Sequence, residues 1–359
     1  MKHRFLYFLF FSFVTTYTSY AQLTAATCKQ RAALIYKNIQ HSFLESQTGL
    51  FFETNNTAKN PEKHSYLWPL CALVQAANEM EAVTNTQQYL PVAMNAIKQY
   101  YSNDAPAPGY QSYVTAEKKA DRFYDDNQWI AIAYMDAYNR TKQKNYLTLS
   151  EEIYRFFMTG YDTASGGGLY WKEKDSTTKN TCSNGPGILV CLQLYKATHQ
   201  KEYLDNALKL YHWTNKYLQT PEGLYYDALK IPSLLIDSAL YTYNTGTMLQ
   251  SNVLLYQLTG DQTFLKEAER IAIAAKAHFF KNDHLSGNYW FDAVLARGLI
   301  ALYEQDHQQE WINMIQSDVE YTWNTQRDAQ NLLGEKGTKT LIDQAAMMEI
   351  YARLAMLLK

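Results

Sequence analysis

No surplus of charge marks this chain of 359 residues; its formal net charge is -2. A nucleic-acid or anionic-membrane partner asks for a basic footprint, so neither is expected. Histidine is scarce, with 8 residues and no paired ligand spacing, and no Asp-rich calcium loop occurs, so no metal and no cofactor is expected. The four cysteines, Cys28, Cys71, Cys182 and Cys191, fit neither a metal pattern nor a small disulfide scaffold, and the expectation is buried free thiols. No apolar run is long enough to span a bilayer, so membrane insertion is not expected. No alternation of apolar and polar residues argues for a substantial sheet.

Against these absences stands an aromatic share of 14%, with 30 Tyr and 7 Trp, inside a chain that is 47% hydrophobic. Tyr and Trp in such numbers suit the flat faces of sugar rings, although a Tyr-rich helical core accounts for many of them. The N-terminus, MKHRFLYFLFFSFVTTYTSYAQ, joins a basic start to a short apolar run and a small-residue end. It reads as an export signal over 1–21, cleaved after Ala21, ahead of a single domain over 22–359. The mature protein is then exported, to the periplasm, the cell surface or the medium, and works as a monomer.

Similar segments recur: TNTQQYLPVAMNAI from Thr84, TKQKNYLTLSEEI from Thr141, THQKEYLDNALKL from Thr198 and TGDQTFLKEAERI from Thr259, set 57 to 61 residues apart. DHQQEWINMI from Asp306 is a weaker fifth copy. Each reads as a polar turn followed by a helix, so the repeat unit is a helix pair. The pattern predicts twelve helices, near 25–44, 65–80, 87–101, 124–140, 144–158, 184–198, 201–219, 245–259, 262–280, 288–305, 308–326 and 341–357. Six pairs predict an all-α, closed (α/α)6 barrel, although an open solenoid shares the repeat. Even helices such as IAIAYMDAY carry little charge and form the expected inner ring; odd helices such as LTLSEEIYRFF face solvent on one side. Links from odd to even helices are mostly long, all at the end where even helices begin, and long connections in a compact domain are usually functional. That face is the expected site.

The even helices open on HSYLWPL, FYDDNQW, CSNGPGI, YTYNTGTM, SGNYWFD and TLIDQAA. Each start alone reads as an N-cap. The ring as a whole, with Trp68, Trp129, Trp171 and Trp290 on the same face, does not. Within it Asp125 and Asp126 stand side by side. One reading makes them a cap and a first-turn acid that suits the helix dipole. The other makes them a catalytic carboxylate pair, which a retaining glycosidase holds about 5–5.5 Å apart and an inverting one roughly 6.5–9.5 Å apart. Repulsion within such a pair raises one pKa, as a general acid requires.

YDDNQWIAIAYMDAY resembles the signature of glycoside hydrolase family 76, the endo-α-1,6-mannanases. Three further segments resemble the family in order: GGGLYWKEKDSTTKNTCSNGP (166–186), EGLYYDAL (222–229) and YTYNTGTMLQSNVLLYQLTGD (241–261). The resemblance spans roughly 30 to 355 and implies an (α/α)6 barrel acting on microbial, chiefly fungal, α-mannan by a retaining two-step route. It implies Asp125 as nucleophile, Asp126 as acid/base and Asp227 as a substrate-binding acid. Asn127, Asn184, Tyr243 and Asn244 are further candidates for sugar-hydroxyl contacts, and Tyr170 and Trp171 for stacking on sugar rings. Trp68 and Trp129 are expected to pack the barrel top. The chain departs from the family at Gln128, Ile130 and Thr245, which bear on subsite preference. Rival readings are a transglycosylase with the same residues, a non-catalytic glycan-binding protein, and an unsaturated-uronide hydrolase. The last would want Arg or Lys at the inner-helix starts, which have none.

Overall fold

Apolar residues at helical spacing, broken by polar turns, become twelve α-helices among the residues that the computed structural model describes, 23–335 and 337–358. The expected export signal, 1–21, lies outside them. In chain order the helices are α1 (Ala25–Ser42), α2 (Leu67–Thr84), α3 (Leu90–Ile97), α4 (Tyr124–Thr141), α5 (Lys144–Phe157), α6 (Thr181–Thr198), α7 (Lys201–Leu218), α8 (Thr242–Thr259), α9 (Gln262–Phe279), α10 (Tyr289–Asp306), α11 (Gln309–Thr325) and α12 (Leu341–Leu357). Each falls where the pattern predicts one. Helix α3 stops short of its expected end because a 3-10 turn, Lys98–Tyr100, leads into a strand, Tyr101–Ser102, paired with Gly109–Tyr110. Buried Tyr100 anchors that turn by donating to the Ser65 carbonyl at 2.6 Å.

The even helices pack in sequence, α2 on α4, then α6, α8, α10 and α12, and α12 packs back on α2. The ring is therefore closed, as an (α/α)6 barrel and not a solenoid. Burial separates the two layers. Helix α12 is buried almost continuously from Leu341 to Ala355, whereas outer α9 buries only Ala268, Ile271, Ala272, Ala275 and Phe279, one stripe at helical spacing. Five inner helices end on a left-handed residue that starts the short link to the next outer helix: Asn85, Lys142, His199, Gly260 and His307.

The inner helices stack their inward residues in layers. Their second residues are Trp68, Asp125, Cys182, Tyr243, Trp290 and Ile342, at the mouth. Two and three turns deeper, at the ninth and thirteenth residues, the bore holds charge. Glu349 accepts from Arg297 Nε and from Arg353 Nε, Arg353 reaches Glu79, and Gln193 donates to Asp136.

The long links are held by two recurring devices. The residue before the N-cap of α4, α6 and α12 is a buried cation that reaches back to loop carbonyls. Arg122 donates to Asp104, Ala105 and Ala107, Lys179 to Ala164 and Gly167, and Lys339 to Gln326, Gly334 and Glu335. The fourth residue of the same helices is a buried amide. Asn127 binds both polar groups of the Tyr110 backbone, Asn184 those of Leu169 and Gln344 those of Leu333. One antiparallel sheet escaped the sequence pattern: Thr178–Asn180 pairs with Tyr226–Lys230, which pairs with Ile236–Leu240. Its first strand lies about fifty residues from the second, so no local alternation announces it.

On the same face, buried Asp318 of α11 accepts from the Leu285 N–H, and Asp292 of α10 accepts from the Thr242 hydroxyl. Burial pushes Asp318 up from the ordinary 3.8 to about 6, and burial plus the Asp318 charge pushes Asp292 up further. The folded chain holds these protons more tightly than the unfolded one. The contribution of Asp318 is full below about pH 4 and is lost as pH rises through about 6, and that of Asp292 is lost at higher pH. The melting temperature should therefore fall between pH 4 and 7, and Asp318→Asn should flatten that fall in a calorimetric pH series.

Candidate active site

Helix α4 begins without a side-chain cap: its N-cap is Phe123. Its first N–H, from Tyr124, donates instead to the Trp171 carbonyl at 3.0 Å. The adjacent loop thus takes over part of the capping, and Asp125 and Asp126, second and third in the helix, are not its cap. Both line a cleft of about 450 Å³ together with Tyr66, Trp68, Ser112, Asp121, Phe123, Trp129, Trp171, Tyr243, Trp290 and Phe291.

The two acids sit in different surroundings. Asp125 Oδ2 accepts from the indole N–H of Trp171 at 3.1 Å, while Oδ1 is buried with no hydrogen-bond partner among the described residues. Burial raises Asp125 from 3.8 to about 6, against the pull of the Trp171 hydrogen bond and of the local backbone. Asp126 is pushed well above the ordinary range, by burial first and by the Asp125 charge second. Loss of solvation outweighs the helix dipole, which favours negative charge here. The first proton therefore leaves Asp125, and the resulting charge holds the second on Asp126. Replacing Trp171 by Phe keeps a ring but removes the donor. The acidic limb of a pH–rate profile should then move upward, by about half a unit or more.

The walls are aromatic. Trp290 meets Trp129 edge-on at 5.2 Å and Trp68 at 5.9 Å, and Tyr243 stacks on Phe291 at 4.0 Å. Trp68 and Trp129 thus pack the barrel top and line the cleft at once. Trp171, 39% exposed, stands at the rim beside Phe123, with ring centres 5.0 Å apart.

Other expected site residues lie elsewhere. Tyr170 turns away from the cleft: its hydroxyl donates to Asp162 at 2.7 Å, and Lys179 Nζ lies 4.5 Å from its ring centre. Successive residues of an extended segment point to opposite faces, so only one of Tyr170 and Trp171 can enter the cleft. Asn127 and Asn184 are fully buried, and their amides are spent on backbone; they shape the loops and leave no group for a sugar hydroxyl. Asn244, also buried, donates to Asp227 Oδ1 at 3.3 Å, and Asn180 approaches Oδ2 at 3.5 Å. Asp227 lies on the middle strand, outside the cleft lining, with its pKa raised by burial and its charge felt by Cys182 and Tyr243.

Sequence reasoning passed over Phe123, Asp121 and Phe291, all in the cleft lining. Buried Cys182 occupies the second helical position of α6, as Asp125 does in α4 and Tyr243 in α8. Among the described residues no three His, Cys, Asp or Glu side chains gather as a metal site, and no helix is long and apolar enough to cross a membrane. All four cysteines are free and buried.

Two carboxyl groups of unlike proton affinity beneath aromatic walls are what cleavage of a glycosidic bond asks for. At the mouth of this barrel they place the molecule in the class of (α/α)6 glycoside hydrolases. The chain belongs to one family of that class, glycosyl hydrolase family 76, whose profile matches residues 27–295. A family 76 mannosidase of Bacteroides thetaiotaomicron has a similar structure, with 26% identity and a TM-score of 0.85 over 92% of this chain and 98% of that one. The fold is shared by an inactive variant of an alpha-1,6-mannanase of Salegentibacter sp. in complex with alpha-1,6-mannotriose, with 22% identity and a TM-score of 0.80 over 92% of this chain and 99% of that one. A mannan endo-1,6-alpha-mannosidase of Saccharomyces cerevisiae is 26% identical over 183 residues, 46% of this chain and 41% of its own. The chain spans about half the length of the curated relatives it matches, 41% to 52% for the first three.

Proposed function

We propose that the protein is an exported, endo-acting α-1,6-mannanase that cleaves the backbone of microbial mannan with retention of anomeric configuration. The observation that carries this reading is the unequal acid pair on the cleft floor. Asp125 ionises first and attacks the anomeric carbon. The carbon–oxygen bond to the departing chain breaks as the new ester bond forms, and Asp126 gives its proton to the leaving oxygen. In the second step the Asp126 carboxylate takes a proton from water, the water oxygen attacks the same carbon, and Asp125 is released. Trp171 and the Tyr243–Phe291 stack offer ring faces for the sugars, and Asp227, steadied by Asn244, is a polar partner beside them. Substrate class is supported by the yeast relatives, mannan endo-1,6-alpha-mannosidases, and by the Salegentibacter sp. alpha-1,6-mannanase.

The test is incubation of the purified protein with linear α-1,6-mannooligosaccharides. Internal cleavage with the α-anomer formed first, read by proton NMR of fresh product, is the expected result. No cleavage overturns the substrate; a β-anomer formed first overturns the role given to Asp125.

A further inference from the structure

We propose that Tyr241 is a distal sugar platform: a mannan chain seated at the acid pair continues over Tyr243 and Phe291 and stacks a further sugar on the Tyr241 ring. The inference rests on the reading of the cleft as a mannanase site and deepens it, by naming a residue that selects for chain length.

Among the described residues Trp171 and Tyr241 are the only exposed aromatic side chains, each at 39%. Both stand at the mouth of the barrel. Trp171 donates to Asp125 and so belongs to the acid pair on α4. Tyr241 is the N-cap of α8. Its ring meets Phe291 edge-on at 5.7 Å and lies 5.9 Å from Tyr243. Tyr243 and Phe291 line the cleft, and Tyr241 stands just outside that lining. Phe291 is the third residue of α10, three steps round the six-helix ring from α4, so it faces the acids across the mouth. Aromatic surface therefore runs from Trp171 at the acids to the Tyr243–Phe291 stack and out over the rim to Tyr241.

The platform is rigid. Tyr241 follows directly on the strand Ile236–Leu240, whose Leu240 pairs with Tyr226. Its carbonyl accepts from the Thr245 N–H at 3.4 Å. Sheet on one side and helix on the other fix its backbone, and two neighbouring rings confine its side chain. A Tyr ring turns about two bonds only, so little entropy is lost when a sugar settles on it. The C–H face of a pyranose covers such a ring and takes both surfaces out of water, while the hydroxyl end stays wet. A sugar held there lies beyond the bond being broken. It adds binding energy that only a long chain supplies.

The experiment compares wild type, Tyr241→Ser and Tyr241→Phe on linear α-1,6-mannooligosaccharides of rising length. Tyr241 gives α8 no side-chain cap, and Ser is a favoured N-cap, so Tyr241→Ser removes the ring and keeps the helix start. Wild-type kcat/KM should climb with length until the chain reaches the platform, then level off. Tyr241→Ser should lose the last step of that climb, about three- to tenfold on long chains, and match wild type on the shortest substrate cleaved. Tyr241→Phe keeps the ring face and should keep the climb. An equal loss at every length, or no loss at any, overturns the inference. Tyr241→Leu, apolar but without a flat face, carries that decision if the Ser variant fails to fold. A wild type that cleaves no length overturns the proposed function instead. Calorimetric binding of long and short chains then decides the platform, which falls if wild type and Tyr241→Ser bind alike.

Discussion

Asp126→Asn should lose about 10²–10⁴-fold in turnover on α-1,6-mannooligosaccharides, the usual worth of a positioned proton donor. Asp125→Asn should lose at least as much, because an amide in its place cannot form the ester. The two losses differ in kind. A mannoside with an activated aryl leaving group needs no protonation, so its first step should recover in Asp126→Asn and stay lost in Asp125→Asn. Neither variant should melt below wild type at neutral pH. Burial raises the pKa of both acids, so ionising them at that pH works against folding, and a neutral amide removes the cost. A variant that retains near-normal turnover on the natural linkage removes that acid from the mechanism.

Glu349→Ala should be the most destabilising single change outside the cleft. Glu349 is fully buried and holds Arg297 and Arg353 through one carboxylate oxygen. Arg297 is itself 2% exposed, and its two terminal nitrogens have no hydrogen-bond partner among the described residues. Removing the carboxylate leaves two guanidinium groups in the bore with less compensation. Breaking a buried ion pair from one side costs about 3–5 kcal/mol. Denaturant unfolding at pH 7 measures it. The loss should appear in the unfolding free energy and not in kcat, because the network lies two to three turns below the acid pair. A change under about 1 kcal/mol would show that the arginines are well solvated where they lie.

Much of the architecture was legible from the chain because helix pairing is announced locally. Apolar residues at three- and four-residue spacing mark a buried face whatever it packs against. The charge-poor even helices and the stripe of α9 therefore declared their layers. Long links before the even helices marked the working face, and the adjacent Asp125 and Asp126 stood out on it. The capping reading of that pair failed because the first N–H of α4 finds the carbonyl of Trp171, 47 residues further on.

What needed the tertiary structure was the direction of each side chain once helices met. Asn127 and Asn184 looked like sugar ligands, but their amides close on loops that pass beneath them. Tyr170 and Trp171 were equivalent as neighbours in sequence, and only the extended backbone between them sends one to the cleft and the other to Asp162. Periodicity therefore determined the number, order and facing of the helices, because those depend on contacts a few residues apart. The environment of Asp125 was decided by Trp171, 46 residues away, which only closure of the barrel brings to its carboxylate.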